Sequence, residues 1–210
     1  MTPSIIDIEF LNKDELNDIK TKVFLLTEYW VALSSSEDKI FDSIITRMMP
    51  AGTYSGTQLS TQQIISNNKL MNDAFSVYYN KIKEKLSVYY NTDVHYRPNF
   101  QLPGFHIFVT NNVKNVSYSN LNFHKDGSKY FSANKVDSIV IPISLPKLGG
   151  SLLFNNPPEI FPYKEGMLGI WPGNLIHSIE PFTFADSSEC RITMQMHTTM
   201  LPNNKRIVFW

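Results

Sequence analysis

From residue 92 to the C-terminus the sequence breaks into short runs of β-branched and aromatic residues separated by proline, glycine and asparagine. The runs read GFHIFVT, DSIVIPISL, GGSLLFNN, MLGIWPG, LIHSIEPF, CRITMQMHTTM and KRIVFW. Many short strands at such spacing predict a sandwich or barrel rather than βαβ units. The first 91 residues are patterned differently. IIDIEF alternates apolar and polar residues and predicts an opening strand. After it, KDELNDIKTKVFLLTEYWVAL has apolar residues at helical spacing with Asp14 placed as N-cap, and SSSEDKIFDSIITRMM repeats the pattern up to Pro50 and Gly52. A third helix is expected in NDAFSVYYNKIKEKLSVYY, where Phe75, Tyr78, Tyr79, Ile82 and Leu86 form one apolar stripe, read as core packing. The expectation is one domain over 1–210, mostly β with N-terminal helices (α+β): a mainly helical supporting half, 1–91, packed on a β core, 92–210.

Length and charge narrow the function classes. The chain has 210 residues, enough for a sizeable core, and its 19 basic residues balance 19 acidic ones. With no broad basic surface, nucleic acid and anionic lipid are disfavoured as partners. The single cysteine, Cys190, excludes an internal disulfide and fits a reducing compartment. The N-terminus lacks a basic segment followed by an apolar run, and no stretch has the length of a membrane span, so a cytoplasmic protein is expected.

Chemistry gathers around NFHKDG. Residues i and i+2 of a strand point to the same face, so His124 and Asp126 can present a nitrogen and an oxygen to one metal ion. Two imidazoles and one carboxylate on one face of an iron leave positions open for substrate and oxygen. A third ligand has to come from a distant strand, and His177 is the candidate, just after the Pro172-Gly173-Asn174 turn. Fourteen residues on lies Arg191, and alternation along CRITMQMH puts Arg191, Thr193 and Gln195 on one side and Ile192, Met194 and Met196 on the other. A buried arginine calls for a carboxylate, which its planar fork grips bidentately. His95 and His197 are read as ordinary structural residues, Cys190 as a small core residue, and Trp171 as packing under the turn.

Taken in order, His124, Asp126, His177, Arg191 and Thr193 resemble the His-x-Asp, distal His, Arg-x-Ser/Thr signature of the Fe(II)- and 2-oxoglutarate-dependent oxygenases. The stretches GGSLLFNNPP, MLGIWPGNLIHSIEP and CRITMQMH look most like the prolyl-hydroxylase-like branch, and the resemblance covers roughly residues 95 to 200. It implies a double-stranded β-helix (jelly-roll, cupin-like) core, with Fe(II) held by His124, Asp126 and His177. It also implies 2-oxoglutarate as cosubstrate, its distal carboxylate on Arg191 and Thr193, with His106 on a strand bordering the same pocket as a hydrogen-bonded wall residue. The implied activity is a dioxygenase or hydroxylase that oxidises an unactivated C–H of an amino acid, peptide or natural product, releases succinate and CO2, and takes ascorbate as reductant. Halogenating members carry a small residue where this chain has Asp126. One departure is plain: SIVIPISLP lacks the tyrosine that many of the branch carry before Gly-Gly. Two alternatives stay open, a cupin-like metalloenzyme that does not use 2-oxoglutarate and a non-catalytic jelly-roll binding module. Substrate specificity is expected in MMPAGTYSGTQLSTQQ and TNNVKNVSYSNLN, and the sequence leaves the oligomeric state open.

Overall fold

The computed structural model describes residues 5–32, 44–50, 59–110, 114–126, 131–132, 135–155 and 158–210. Two helices, α1 (Lys13–Leu25) and α2 (Thr61–Tyr90), accompany the strands. In the first half these are β1 (Ile6–Glu9), β2 (Val31–Ala32), β3 (Ile44–Met49), β4 (Val94–Tyr96), β5 (Gly104–Thr110) and β6 (Val116–Tyr118). They continue as β7 (Val136–Ser144), β8 (Leu148–Gly149), β9 (Leu152–Asn155), β10 (Pro158–Phe161) and β11 (Met167–Pro172). The last four are β12 (His177–Ile179), β13 (Phe182–Phe184), β14 (Cys190–Met200) and β15 (Arg206–Phe209).

A large sheet runs β1-β11-β7-β14-β5-β3-β2, with β15 beside β14 and β4 beside β15. Two small sheets, β10-β9-β12 and β6-β13-β8, complete the jelly roll. Pairing is antiparallel except for β15 with β4. The long strand β14 holds the large sheet together, pairing with β5, β7 and β15 along its eleven residues.

The main core lies where the helices cover one face of this sheet. Phe75, Tyr79, Ile82 and Leu86 of α2 pack with Ile192, Met194 and Met196 of β14 and with Ile139 and Ile141 of β7. Removing each such side chain from water contributes about 1.5–3 kcal/mol. The Tyr79 hydroxyl, inside this core, donates to the Pro103 carbonyl at 2.7 Å and so satisfies its polar end.

The helix boundaries differ from the sequence reading in three places. The N-cap of α1 is Asn12, not Asp14: its side chain accepts from the amides of Asp14 and Glu15, and Glu15 reaches back to the Asn12 amide, a capping box. The same helix stops at Leu25, after which the Trp30 indole donates to the Val23 carbonyl and the chain enters β2. The third expected helix begins eleven residues earlier than expected, at Thr61, because Ser60 and Gln63 form another capping box.

The helix expected over SSSEDKIFDSIITRMM is contradicted where that segment is described. Ile44–Met49 is a strand, β3, in register with β5. Ile44, Thr46 and Met48 are buried while Ile45 and Arg47 are half-buried, a period of two that β-branched Ile44, Ile45 and Thr46 favour. The rest of that segment lies outside the described residues, as do 51–58 of the first expected specificity loop and 111–113 of the second. The supporting half therefore adds strands β1, β2 and β3 to the large sheet as well as helices.

Candidate metal centre and anion pocket

His124 and His177 meet across an isolated antiparallel bridge, each amide donating to the other's carbonyl at 3.0 Å. Their rings lie 4.6 Å apart. In each ring Nδ1 sits against the carbonyl of the residue two positions earlier: His124 on Asn122 at 2.7 Å and His177 on Leu175 at 2.9 Å. A carbonyl only accepts, so both Nδ1 atoms carry the proton and both Nε2 lone pairs are left for a ligand.

Asp126 is brought to the same point by the turn ahead of His177. Its amide donates to the Gly173 carbonyl at 2.8 Å, and the Gly173 amide donates to Val136 at 2.9 Å. A Cβ at position 173 would lie 2.6 Å from Val136 Cγ2 and 3.2 Å from the Asp126 carbonyl oxygen, so the close approach of these chains requires glycine. The carboxylate then stands with Oδ1 3.6 Å from His124 Nε2 and Oδ2 3.3 Å from His177 Nε2. Among the described residues these three form the one cluster of potential metal ligands, with ligand atoms within 4.8 Å of one another. Two neutral imidazoles plus one carboxylate suit a divalent first-row metal and match the facial triad of non-haem iron sites.

Charge around Asp126 supports that fit. Burial alone pushes its carboxyl up, but His197, His177, the Ser138 hydroxyl and His124 outweigh burial and hold it below the ordinary value. Burial also lowers His177, with Asp126 opposing, so the ring favours the neutral state a metal needs.

The cluster opens into a cavity of about 80 Å³, walled by both the large sheet and the small sheets. One water requires only about 10–15 Å³ measured in this way, so there is space for a small ligand. Arg191 belongs to this cavity, 1% exposed. Its Nε donates to the Gly150 carbonyl at 2.8 Å, and its side chain lies between the rings of Phe108 and Tyr163. One terminal nitrogen, Nη1, is buried with no hydrogen-bond partner among the described residues. Burial pulls the guanidinium down to about 10, with Tyr163 and Tyr118 opposing, so it stays charged at neutral pH.

Of the other expected residues, His106 lines the cavity, and burial followed by the Arg191 charge pushes it down to about 3, so it is a neutral wall residue. Thr193, opposite His106 on β5, is fully buried and is not among the residues that line the cavity; its hydroxyl accepts at 3.1 Å from Gln195, which does line it. His197, read as structural, also lines the cavity, as does Trp171, whose ring stands edge-on to His177 at 5.5 Å. The alternation that exposes Arg191 and Gln195 on β14 reaches His197 if it is followed two residues further. Tyr163 and Tyr118 carry no such signal, because neither lies on the strand before Gly-Gly; the fold brings both beside Arg191 from elsewhere.

No family model and no curated protein matches the chain in sequence. Solved structures do match in shape. A 2OG-Fe(II) oxygenase family oxidoreductase from Burkholderia pseudomallei superposes with a TM-score of 0.53 at 12% identity, covering 91% of this chain and 82% of that one. The non-haem alpha-ketoglutarate-dependent epimerase SnoN from nogalamycin biosynthesis gives a TM-score of 0.53 at 10% identity, with 94% and 79% covered. HygX from Streptomyces hygroscopicus, solved with nickel, 2-oxoglutarate and hygromycin B, gives 0.46 at 9% identity, with 93% and 82% covered. The chain thus has the double-stranded β-helix fold of the 2OG-Fe(II) oxygenases, with a His-Asp-His cluster opening into its cavity.

Proposed function

We propose that the protein is a non-haem Fe(II)- and 2-oxoglutarate-dependent oxygenase. The observation that carries this reading is Arg191: a buried cation with an unpartnered Nη1, in the same cavity as a His-Asp-His cluster. Burying an ion costs several kcal/mol unless it is paired, so the arrangement calls for an anionic ligand that spans from the metal to Arg191. A 2-oxo diacid meets that description, one end chelating and the other a carboxylate. A metalloenzyme without an anionic cosubstrate leaves the buried guanidinium unexplained, and a binding module leaves the His-Asp-His cluster unexplained.

Iron with 2-oxoglutarate would activate O2, the four-electron oxidant, which takes two electrons from 2-oxoglutarate as it becomes succinate and CO2 and two from a substrate C–H bond. The protein's own residues position. His124 and His177 offer Nε2 because their Nδ1 protons are held by backbone carbonyls, and Asp126 completes the face. Gly150 holds Arg191 by Nε, which leaves the terminal nitrogens for the distal carboxylate. With Asp126 in the carboxylate position, hydroxylation or a related oxidation is proposed rather than halogenation. The substrate is proposed to be an amino acid, peptide or natural product, with ascorbate as reductant and the cytoplasm as location. No helix among the described residues is long and apolar enough to cross a membrane.

The test is anaerobic titration of the Fe(II)-loaded protein with 2-oxoglutarate, followed by the metal-to-cosubstrate charge-transfer band, and then succinate formation in air. A saturable band that vanishes in His124→Ala and His177→Ala is expected. Iron binding without any 2-oxoglutarate band would overturn the reading in favour of a metalloenzyme with another chemistry.

A further inference from the structure

The large sheet carries a row of three cavity-facing residues directly beneath the metal cluster. Trp171 on β11 and His197 on β14 are both cross-strand partners of Ser138 on β7. Cross-strand neighbours project to the same face, so a serine sits between two large rings. That small side chain leaves the place into which Asp126 descends. The Ser138 hydroxyl, 1% exposed, donates to Asp126 Oδ2 at 2.5 Å.

Asp126 is therefore tied twice, by its amide to Gly173 and by one carboxylate oxygen to Ser138. Without the second tie, the carboxylate is free to rotate about its Cβ–Cγ bond and to turn its oxygens away from the two imidazoles. With it, Oδ2 accepts a hydrogen bond from the sheet floor and stands 3.3 Å from His177 Nε2, while Oδ1 stands 3.6 Å from His124 Nε2. We infer that Ser138 is a positioning residue of the metal centre, fixing the orientation in which the Asp126 carboxylate would meet a metal between His124 and His177. The inference rests on the metal-centre reading above. It assigns a role to a serine that neither touches the metal nor belongs to the His-x-Asp signature. The size of the effect follows from other metal sites, where loss of a hydrogen-bonded outer partner lowers metal affinity roughly 10–100-fold.

Co(II) is a suitable probe, because its visible absorption reports coordination number and its affinity can be titrated without turnover. The native protein, Ser138→Ala, Ser138→Cys and Ser138→Thr are compared, each checked for native secondary structure by circular dichroism. In Ser138→Ala and Ser138→Cys, Co(II) affinity should fall roughly 10–100-fold and the visible spectrum should change as the freed carboxylate reorients at the metal. Thr keeps the hydroxyl and should restore both. Cys nearly keeps the volume with a weak donor, so it carries the readout if Ala disturbs folding. A serine that only supported the sheet would lower thermal stability and leave the Co(II) spectrum native. Native-like affinity and spectrum in both Ala and Cys variants, with the native protein binding one Co(II), would overturn the role of Ser138 alone. Failure of the native protein to bind Co(II) would overturn the metal-centre reading itself, and this inference with it.

Discussion

The two faces of β14 make opposite demands on the same eleven residues. Ile192 and Met194 turn toward α2 into the apolar core, where neither carries a polar group to satisfy. Arg191, Gln195 and His197 turn toward the cavity, where Arg191 Nη1 and His197 Nδ1 are buried without a hydrogen-bond partner among the described residues. Thus the core face stabilises the fold, whereas the cavity face holds polar groups whose burial is costly until a ligand arrives. The contrast shows how alternation lets one strand carry both stability and recognition.

The largest effect is expected on the core face. Met194, fully buried, should cost about 2–5 kcal/mol of stability when replaced by alanine, measured by urea unfolding of the metal-free protein. Its 2-oxoglutarate affinity, once folded and loaded with iron, should stay near native; an equal loss there would show that the two faces are not separable.

Arg191→Met should reverse that pattern. Removing a buried, partly unpartnered charge should leave unfolding stability unchanged or raise it, while cosubstrate binding should weaken by about 2–5 kcal/mol. Arg191→Lys should recover only part of the binding, since a point charge lacks the planar fork. Native cosubstrate affinity in Arg191→Met would remove Arg191 as the anchor.

Acid should single out the cavity face. His106 is pushed down to about 3 by burial and by Arg191, and burial also lowers His177 and His197. Because these folded values lie below the unfolded value near 6.5, the stability tied to neutral rings is complete above pH 6.5. For His106 it is lost as pH falls from 6.5 toward 3, by up to roughly 1.4 kcal/mol per pH unit, and His177 and His197 act in the same direction. His106→Gln should flatten this slope in chemical-unfolding curves of the metal-free protein; an unchanged slope would place the acid sensitivity elsewhere.

The smallest effect belongs to Thr193. Its hydroxyl already accepts from Gln195, so Thr193→Val should weaken 2-oxoglutarate binding by no more than about 0.5–1.5 kcal/mol, read in the same titration as Arg191→Met. A loss as large as that of Arg191→Met would mean that Thr193 contacts the cosubstrate directly.

Much of this contrast is legible in the sequence. Period-two alternation by itself separates Met194 from Arg191, and the His-x-Asp spacing with His177 after a glycine turn marks the cluster that the fold closes. Capping boxes such as Asn12 with Glu15 and Ser60 with Gln63 are also local, within one helical turn, yet the sequence reading places the first cap at Asp14 and misses the one at Ser60. Segment 44–49 is harder to read, since a short apolar run suits a helix or a strand until its partner β5 is known.

What the sequence determined by itself is therefore what depends on neighbours a few residues apart: strand alternation, caps, the turn at Gly173 and the identity of the candidate ligands. The tertiary structure alone decided which side chains meet across long separations. Tyr163 lies beside Arg191, Ser138 under Asp126, and Gln195 rather than Thr193 on the cavity wall. Such meetings follow from strand order and register, which are set by how the whole apolar face of the sheet is buried, and no spacing along the chain encodes them.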